Sequence, residues 1–181
     1  MTAGKALLII DMQKGSFTAA TPRFDTPGVV SRINEIAEAF RAANQPVIYI
    51  QHDGARYSEF VKGSQEWELL DELEVAETDL IIDKYANEAF YQSQLQLTLT
   101  KLNIDELYLT GCATDFCVEA TLQAALSRDY SVSVVADAHT TGERPALSAK
   151  QVIDHYNWVW QHMIPTKGMV TVKSTNEVLN S

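Results

Sequence analysis

Cys117, Asp11 and Lys84 are the residues of this 181-residue chain whose types and positions suit nucleophilic catalysis. Cys117 follows Gly111-Cys112-Ala113-Thr114-Asp115-Phe116 and precedes the apolar stripe Val118, Leu122, Ala125 and Leu126, so its thiol is expected in the first turn of a helix. There the positive end of the helix dipole favours thiolate. Thr114 or Asp115 would cap that helix by accepting a backbone amide hydrogen bond. Asp11 closes the apolar run 6–10, and Lys84 follows Leu80-Ile81-Ile82-Asp83, so each sets a charge at the end of a segment that reads as buried. A charge placed there is costly unless it is paired or faces a polar cavity. Taken singly, Asp11 and Lys84 fit a structural ion pair, and Cys117 fits a small buried hydrophobe. As a set they offer a base for the thiol proton, a cation to steady the thiolate, and a nucleophile.

Such a set needs a scaffold that ends several strands in one place. Short apolar runs at 6–10, 46–51, 80–83, 106–110, 131–136 and 169–172 alternate with stretches of helical periodicity. That alternation predicts an α/β fold with three α/β/α layers around a doubly wound, mostly parallel six-stranded sheet. Val29, Ile33, Ile36, Ala37 and Phe40 share a helical stripe after Thr26-Pro27, where Thr would cap and Pro suits the first turn. Leu95, Leu99 and Leu102 form another stripe, and Val152, Tyr156, Val159, Trp160 and Met163 a last one. The weakest pattern lies at 53–78, where loops and a short helix around Trp67 are expected. Open parallel sheets bind ligands beyond the carboxyl ends of their strands. That rule selects Asp11, Gln51-His52-Asp53, Asp83-Lys84, residues 111–117, and Asp137 with His139, both read as following the fifth strand.

The 24 acidic and 14 basic residues leave a net charge of −10, which disfavours nucleic acid and anionic membranes as partners. Hydrophobic residues at 46% and charged ones at 21% are globular proportions, and with no repeat or linker in view one domain over 1–181 is expected. Two cysteines, Cys112 and Cys117, are too few for a disulfide scaffold and have no histidine close by for zinc. The N-terminal stretch from Met1-Thr2-Ala3 is too short and too unlike a leader to span a membrane or direct secretion. A reduced, cytoplasmic setting follows as the expectation.

Three segments carry a resemblance. Ala6-Leu7-Leu8-Ile9-Ile10-Asp11-Met12-Gln13, then Asp83-Lys84 followed by Ala89-Phe90, then Gly111-Cys112-Ala113-Thr114-Asp115-Phe116-Cys117-Val118 resemble the hallmark motifs of the isochorismatase-like cysteine hydrolases. Nicotinamidases and N-carbamoylsarcosine amidohydrolases belong to that superfamily. The likeness runs from Lys5 to about Val172, in the same order and with similar spacing. It implies a Cys-Asp-Lys triad on Cys117, Asp11 and Lys84, a non-proline cis peptide between Cys112 and Ala113, and an oxyanion site on the backbone amides of Ala113 and Cys117. It also implies cleavage of the C–N bond of a small amide or carbamoyl compound through a thioester on Cys117. Many relatives assemble, so a homo-oligomer is expected, with the aromatic last long helix bearing Trp158 and Trp160 as a packing or interface element.

The sequence also departs from particular members. Nicotinamidases of this type hold a divalent metal through an Asp and two His after the second strand. Here that stretch reads Gln51-His52-Asp53-Gly54-Ala55-Arg56, with no further histidine before His139. His52 and Asp53 would point to opposite faces of a strand. No metal and no other cofactor is therefore expected, and the partner is a small-molecule substrate. Isochorismatases proper do not need the cysteine, so its presence favours covalent amide chemistry over an isochorismatase-type reaction. A binding protein on the same fold is the other alternative. A redox pair of Cys112 and Cys117 ranks lower, since one should end a buried strand and the other start a helix. Phe17, His52, Trp67, Tyr85 and Phe90 are the expected apolar pocket walls, each in or near a post-strand segment. Asp137 is expected to cap or brace its loop, and His139 carries no assignment.

Overall fold

Six parallel strands form one sheet in the computed structural model, which describes residues 4–165 and 167–180. Met1, Thr2 and Ala3 of the N-terminal reading lie outside the described residues. The strands are β1 (Gly4–Ile10), β2 (Val47–His52), β3 (Leu80–Lys84), β4 (Ile104–Cys112), β5 (Ser131–Thr140) and β6 (Val170–Lys173). Their order is β3-β2-β1-β4-β5-β6. The chain winds outward from β1 to β3, then returns to the other flank of β1 and winds outward again. That reversal between β1 and β4 opens a crevice beyond their carboxyl ends.

Helices cover both faces of the sheet. α1 (Thr26–Ala42) and α5 (Thr175–Leu179) pack on one side, where Leu7 and Ile9 meet Val29, Ile33, Ile36 and Val178. α2 (Leu95–Lys101), α3 (Glu119–Leu126) and α4 (Ala149–Gln161) pack on the other, where Leu8 and Ile10 meet Leu95, Leu99, Leu122 and Trp160. Residues 6–10 of β1 are fully buried, which is why that strand is apolar at every position instead of alternating. Each large side chain buried there contributes roughly 1.5–3 kcal/mol.

Several local expectations are corrected. Thr26 does not cap α1: Asp25 holds the cap position in left-handed backbone, and no side chain closes the cap. The Asp25 carboxylate is drawn to Arg32 at 2.6 Å, and the Thr26 hydroxyl donates to the Arg23 carbonyl at 3.3 Å. Leu102 lies just past α2 and is exposed. No helix forms around Trp67, whose carbonyl accepts the side-chain amides of Gln13 and Gln51 at 3.0 and 2.8 Å. The short helix of this region is a 3-10 turn at Ala55–Tyr57. β5 runs on past residue 136, so Asp137 and His139 lie within it. A shift in register takes its pairing from Leu109↔Val134 to Gly111↔His139, and polar residues inside such an irregularity read as a strand end. Of the two tryptophans of α4, Trp160 is buried, with its Nε1 donating to the Glu119 carboxylate, and Trp158 is exposed.

Candidate active site

Asp11 is the first residue after β1 and has a left-handed backbone, φ 49°. That region is uncommon for residues other than glycine, with Asp and Asn its usual exceptions. A hydrogen bond from its amide to the Ile50 carbonyl, 2.9 Å, holds the turn against β2. The carboxylate meets Lys84, the last residue of β3, with Nζ 2.8 Å from Oδ2. Lys84 is fully buried and also reaches the carbonyls of Ala86 and Asn87, at 2.8 and 3.2 Å, and the Cys117 sulfur at 3.3 Å. Burial alone would lower its pKa; the charges of Asp11 and Cys117 and their hydrogen bonds outweigh it and leave the pKa raised, so the ammonium persists. Oδ1 of Asp11 is buried and has no hydrogen-bond partner among the described residues.

The thiol is delivered by the end of β4. Gly111 pairs with Ile10 of β1 at φ 111°, and a Cβ on it would sit 2.1 Å from the Ile10 carbonyl oxygen. Only glycine allows the two strands to run this close. The Cys112–Ala113 peptide is cis, and a π-helical turn, Thr114–Val118, then carries Cys117 into the crevice ahead of α3. Neither Thr114 nor Asp115 caps it. The Thr114 hydroxyl is 2.8 Å from His139 Nδ1, and the Asp115 carboxylate is held by Arg144 at 2.7 and 2.9 Å and by the Thr141 hydroxyl at 2.6 Å.

The surroundings of Cys117 act on its thiol in opposing senses. Burial pushes the Cys117 thiol well above its usual range, the Asp11 charge pushes the same way, and Lys84 offsets them only in part. Cys112, fully enclosed, is pushed up to about 12, chiefly by burial.

His139 gains a place. It is buried, with Nε2 2.9 Å from Asn157 Oδ1. The Asn157 amide nitrogen donates to the Ala136 carbonyl at 2.9 Å, which turns its oxygen toward the imidazole. His139 is therefore the Nε2–H tautomer, and its Nδ1 accepts the Thr114 hydroxyl proton. Burial, only partly opposed by Asn157 and Asp137, lowers its pKa to about 4. Asp137 braces a more distant element than its own loop, since its Oδ1 accepts both the amide and the hydroxyl of Thr175 at 2.8 Å.

A cavity of about 250 Å³ opens at the sulfur, bounded by Asp11, Ala113 and Cys117 and by Ser16, Arg23, Asn87, Phe116 and Arg144. Phe17, His52, Trp67, Tyr85 and Phe90 are not among its walls. Phe17 lines a separate hollow with Pro27 and Leu70. His52 lies edge-on to Phe60, and the Trp67 ring lies under Lys62. Tyr85 is exposed, and Phe90 is in the core, stacked on Tyr130. Position after a strand places a residue near the crevice but does not aim its side chain. The sequence signal for the true walls is charge: Arg23 and Arg144 are cations in post-strand segments of an acidic chain. Among the described residues no three His, Cys, Asp or Glu side chains group to hold a metal ion, and no helix is long and apolar enough to cross a membrane.

Known proteins are similar to this chain in sequence and architecture. The isochorismatase domain matches residues 5–165. The chain is 30% identical to the uncharacterized isochorismatase family protein YecD of Escherichia coli O157:H7, over 97% of this chain and 95% of that one. It is 28% identical to the ureidoacrylate amidohydrolase RutB of Stutzerimonas stutzeri, over 85% of this chain and 78% of that one. Among solved structures, N-carbamoylsarcosine amidase from Thermoplasma acidophilum superposes with a TM-score of 0.76 at 26% identity, covering 96% of this chain and 98% of that one. Since the match runs through all three motif-bearing strand ends and across nearly the whole sheet, the chain belongs to the isochorismatase family of hydrolases.

Proposed function

We propose that the protein is an amidase-type cysteine hydrolase, cleaving the C–N bond of a small amide or carbamoyl compound through a thioester on Cys117. The observation that carries this reading is the position of Lys84, buried and within reach of both Asp11 Oδ2 at 2.8 Å and Cys117 Sγ at 3.3 Å. In the reaction Asp11 accepts the thiol proton as the sulfur attacks the carbonyl carbon. Because burial and Asp11 raise the thiol pKa, ionisation and attack go together, and Lys84 carries the balancing positive charge. The backbone amides of Ala113 and Cys117 bind the tetrahedral oxyanion as fixed dipoles. The C–N bond breaks, and the departing amine or ammonia takes the proton from Asp11. Water then gives a proton to Asp11 and its oxygen to the thioester carbon, which releases the acid and returns the thiol. Two relatives are named as an amidohydrolase and an amidase, which supports this reaction class.

A cavity of about 250 Å³ is smaller than the roughly 300–1,000 Å³ of pockets for drug-sized ligands, so the substrate is small. The test is ammonia release from a panel of small amides, ureas and carbamoyl compounds. Cys117→Ala should lower turnover by at least about 10³-fold, as loss of a covalent nucleophile does. Full turnover by that variant on a substrate of the wild type would refute the scheme.

A further inference from the structure

The charges around the cavity do not cancel. Asp11 is paired with Lys84, and Asp115 with Arg144. Arg23 has no acidic partner among the described residues: its Nε donates to the Ser16 carbonyl at 2.8 Å, and neither Nη atom has an acceptor. It is half-buried and lines the cavity beside Cys117. The two guanidinium groups also converge. The point where a Cβ on Gly142 would lie is 2.9 Å from Arg23 Nη1 and 3.8 Å from Arg144 Nη1. The Arg144 guanidinium is further fixed over the Phe116 ring, 5.1 Å from its centroid. Two like charges so close, with one carboxylate between them and that one bound to Arg144, repel unless a further anion joins them. In a chain of net charge −10 an uncompensated cation at a cavity wall is a local reversal of sign.

We infer that Arg23 is the specificity-determining contact for a substrate anion, and that the substrate is an amide or carbamoyl compound bearing a carboxylate. The inference rests on the hydrolase reading above and adds to it the charge of the substrate. Arg23 receives the carboxylate through its free Nη donors, in the fork geometry guanidinium offers to carboxylate. The reacting carbonyl then lies at the other end of the cavity, between Cys117 and the Ala113 amide. Arg144, already held by Asp115, forms the rigid side of the clamp.

The experiment compares alkylation of Cys117 by iodoacetate and by iodoacetamide, read by mass spectrometry, with glutathione as the free-thiol standard. Both reagents transfer carbon to sulfur and release iodide, and they differ in carrying a carboxylate or a neutral amide. The iodoacetate-to-iodoacetamide rate ratio at Cys117 should exceed that of glutathione by about tenfold, the scale of one charge-assisted hydrogen bond. Arg23→Gln should return the ratio to the glutathione value, Arg23→Lys should keep part of it, and Lys101→Gln, a charge removed elsewhere, should leave it unchanged. A second measurement needs no reactive thiol. N-carbamoylglycine should raise the melting temperature of Cys117→Ala more than N-carbamoylglycinamide does, and Arg23→Gln should erase the difference. No anion preference in either measurement, or a preference that survives Arg23→Gln, overturns the inference. Neither result depends on turnover, so the hydrolase reading stands or falls separately on the activity of Cys117→Ala.

Discussion

Lys84 ties stability to chemistry at a single side chain. Replacing it with Met would remove the counter-charge from a carboxylate that is itself nearly buried, and breaking a buried pair by taking one partner costs about 3–5 kcal/mol. Lys84→Met should lower the urea midpoint accordingly and abolish turnover, and adding Asp11→Asn should restore part of the stability but none of the activity. His139 carries a pH dependence. An unfolded histidine titrates near 6.5 and this one near 4, so the unfolded chain binds more protons between those values. Its contribution is complete above pH 6.5 and is lost as pH falls toward 4, at most about 3 kcal/mol. Urea unfolding at pH 7 and pH 5 should therefore show a larger acid loss in the wild type than in His139→Gln. Asp11 and Lys84 were legible in the sequence because each is a charge at the end of an apolar run, and Cys117 because it is a thiol just ahead of a helical stripe. Arg23 and Arg144 were not, because their meaning depends on which acids the fold places beside them.

At the scale of elements, the β1–β4 pair sets the geometry of the site. Asp11 leaves one strand and the Cys117 turn leaves the other, and Gly111 fixes how closely they run. Gly111→Ala would drive a Cβ into the Ile10 carbonyl at a φ of 111°, so the strands must part. A loss of about 3 kcal/mol or more is expected in chemical denaturation, with a fall in kcat. Gly63→Ala, at a positive φ but in open space, should cost only about 1 kcal/mol and spare kcat. Strand and helix positions were readable because burial on both faces writes continuous apolar runs and helical stripes. The π-helical turn, the continuation of β5 and the vacant caps of α1 and of the Cys117 turn were not. Each is decided by a partner that helical or strand periodicity does not mark: His139 and Arg144 for Thr114 and Asp115, a register shift against β4 for β5, and Arg32 for Asp25.

Across the whole molecule, the alternation of strands and helices announced the α/β class. The strand order itself came only from the structure, since apolar runs carry no record of their neighbours. That order has a consequence for how such a protein changes over evolutionary time. Asp11, Lys84 and Cys117 hang from strand ends whose residues are committed to the core. Ser16, Arg23 and Asn87 stand on the connections that follow β1 and β3. Substitution at those three leaves the sheet intact while it redraws the cavity. Substrate preference on this scaffold can therefore change through the loops alone, without disturbing the residues proposed to break the bond.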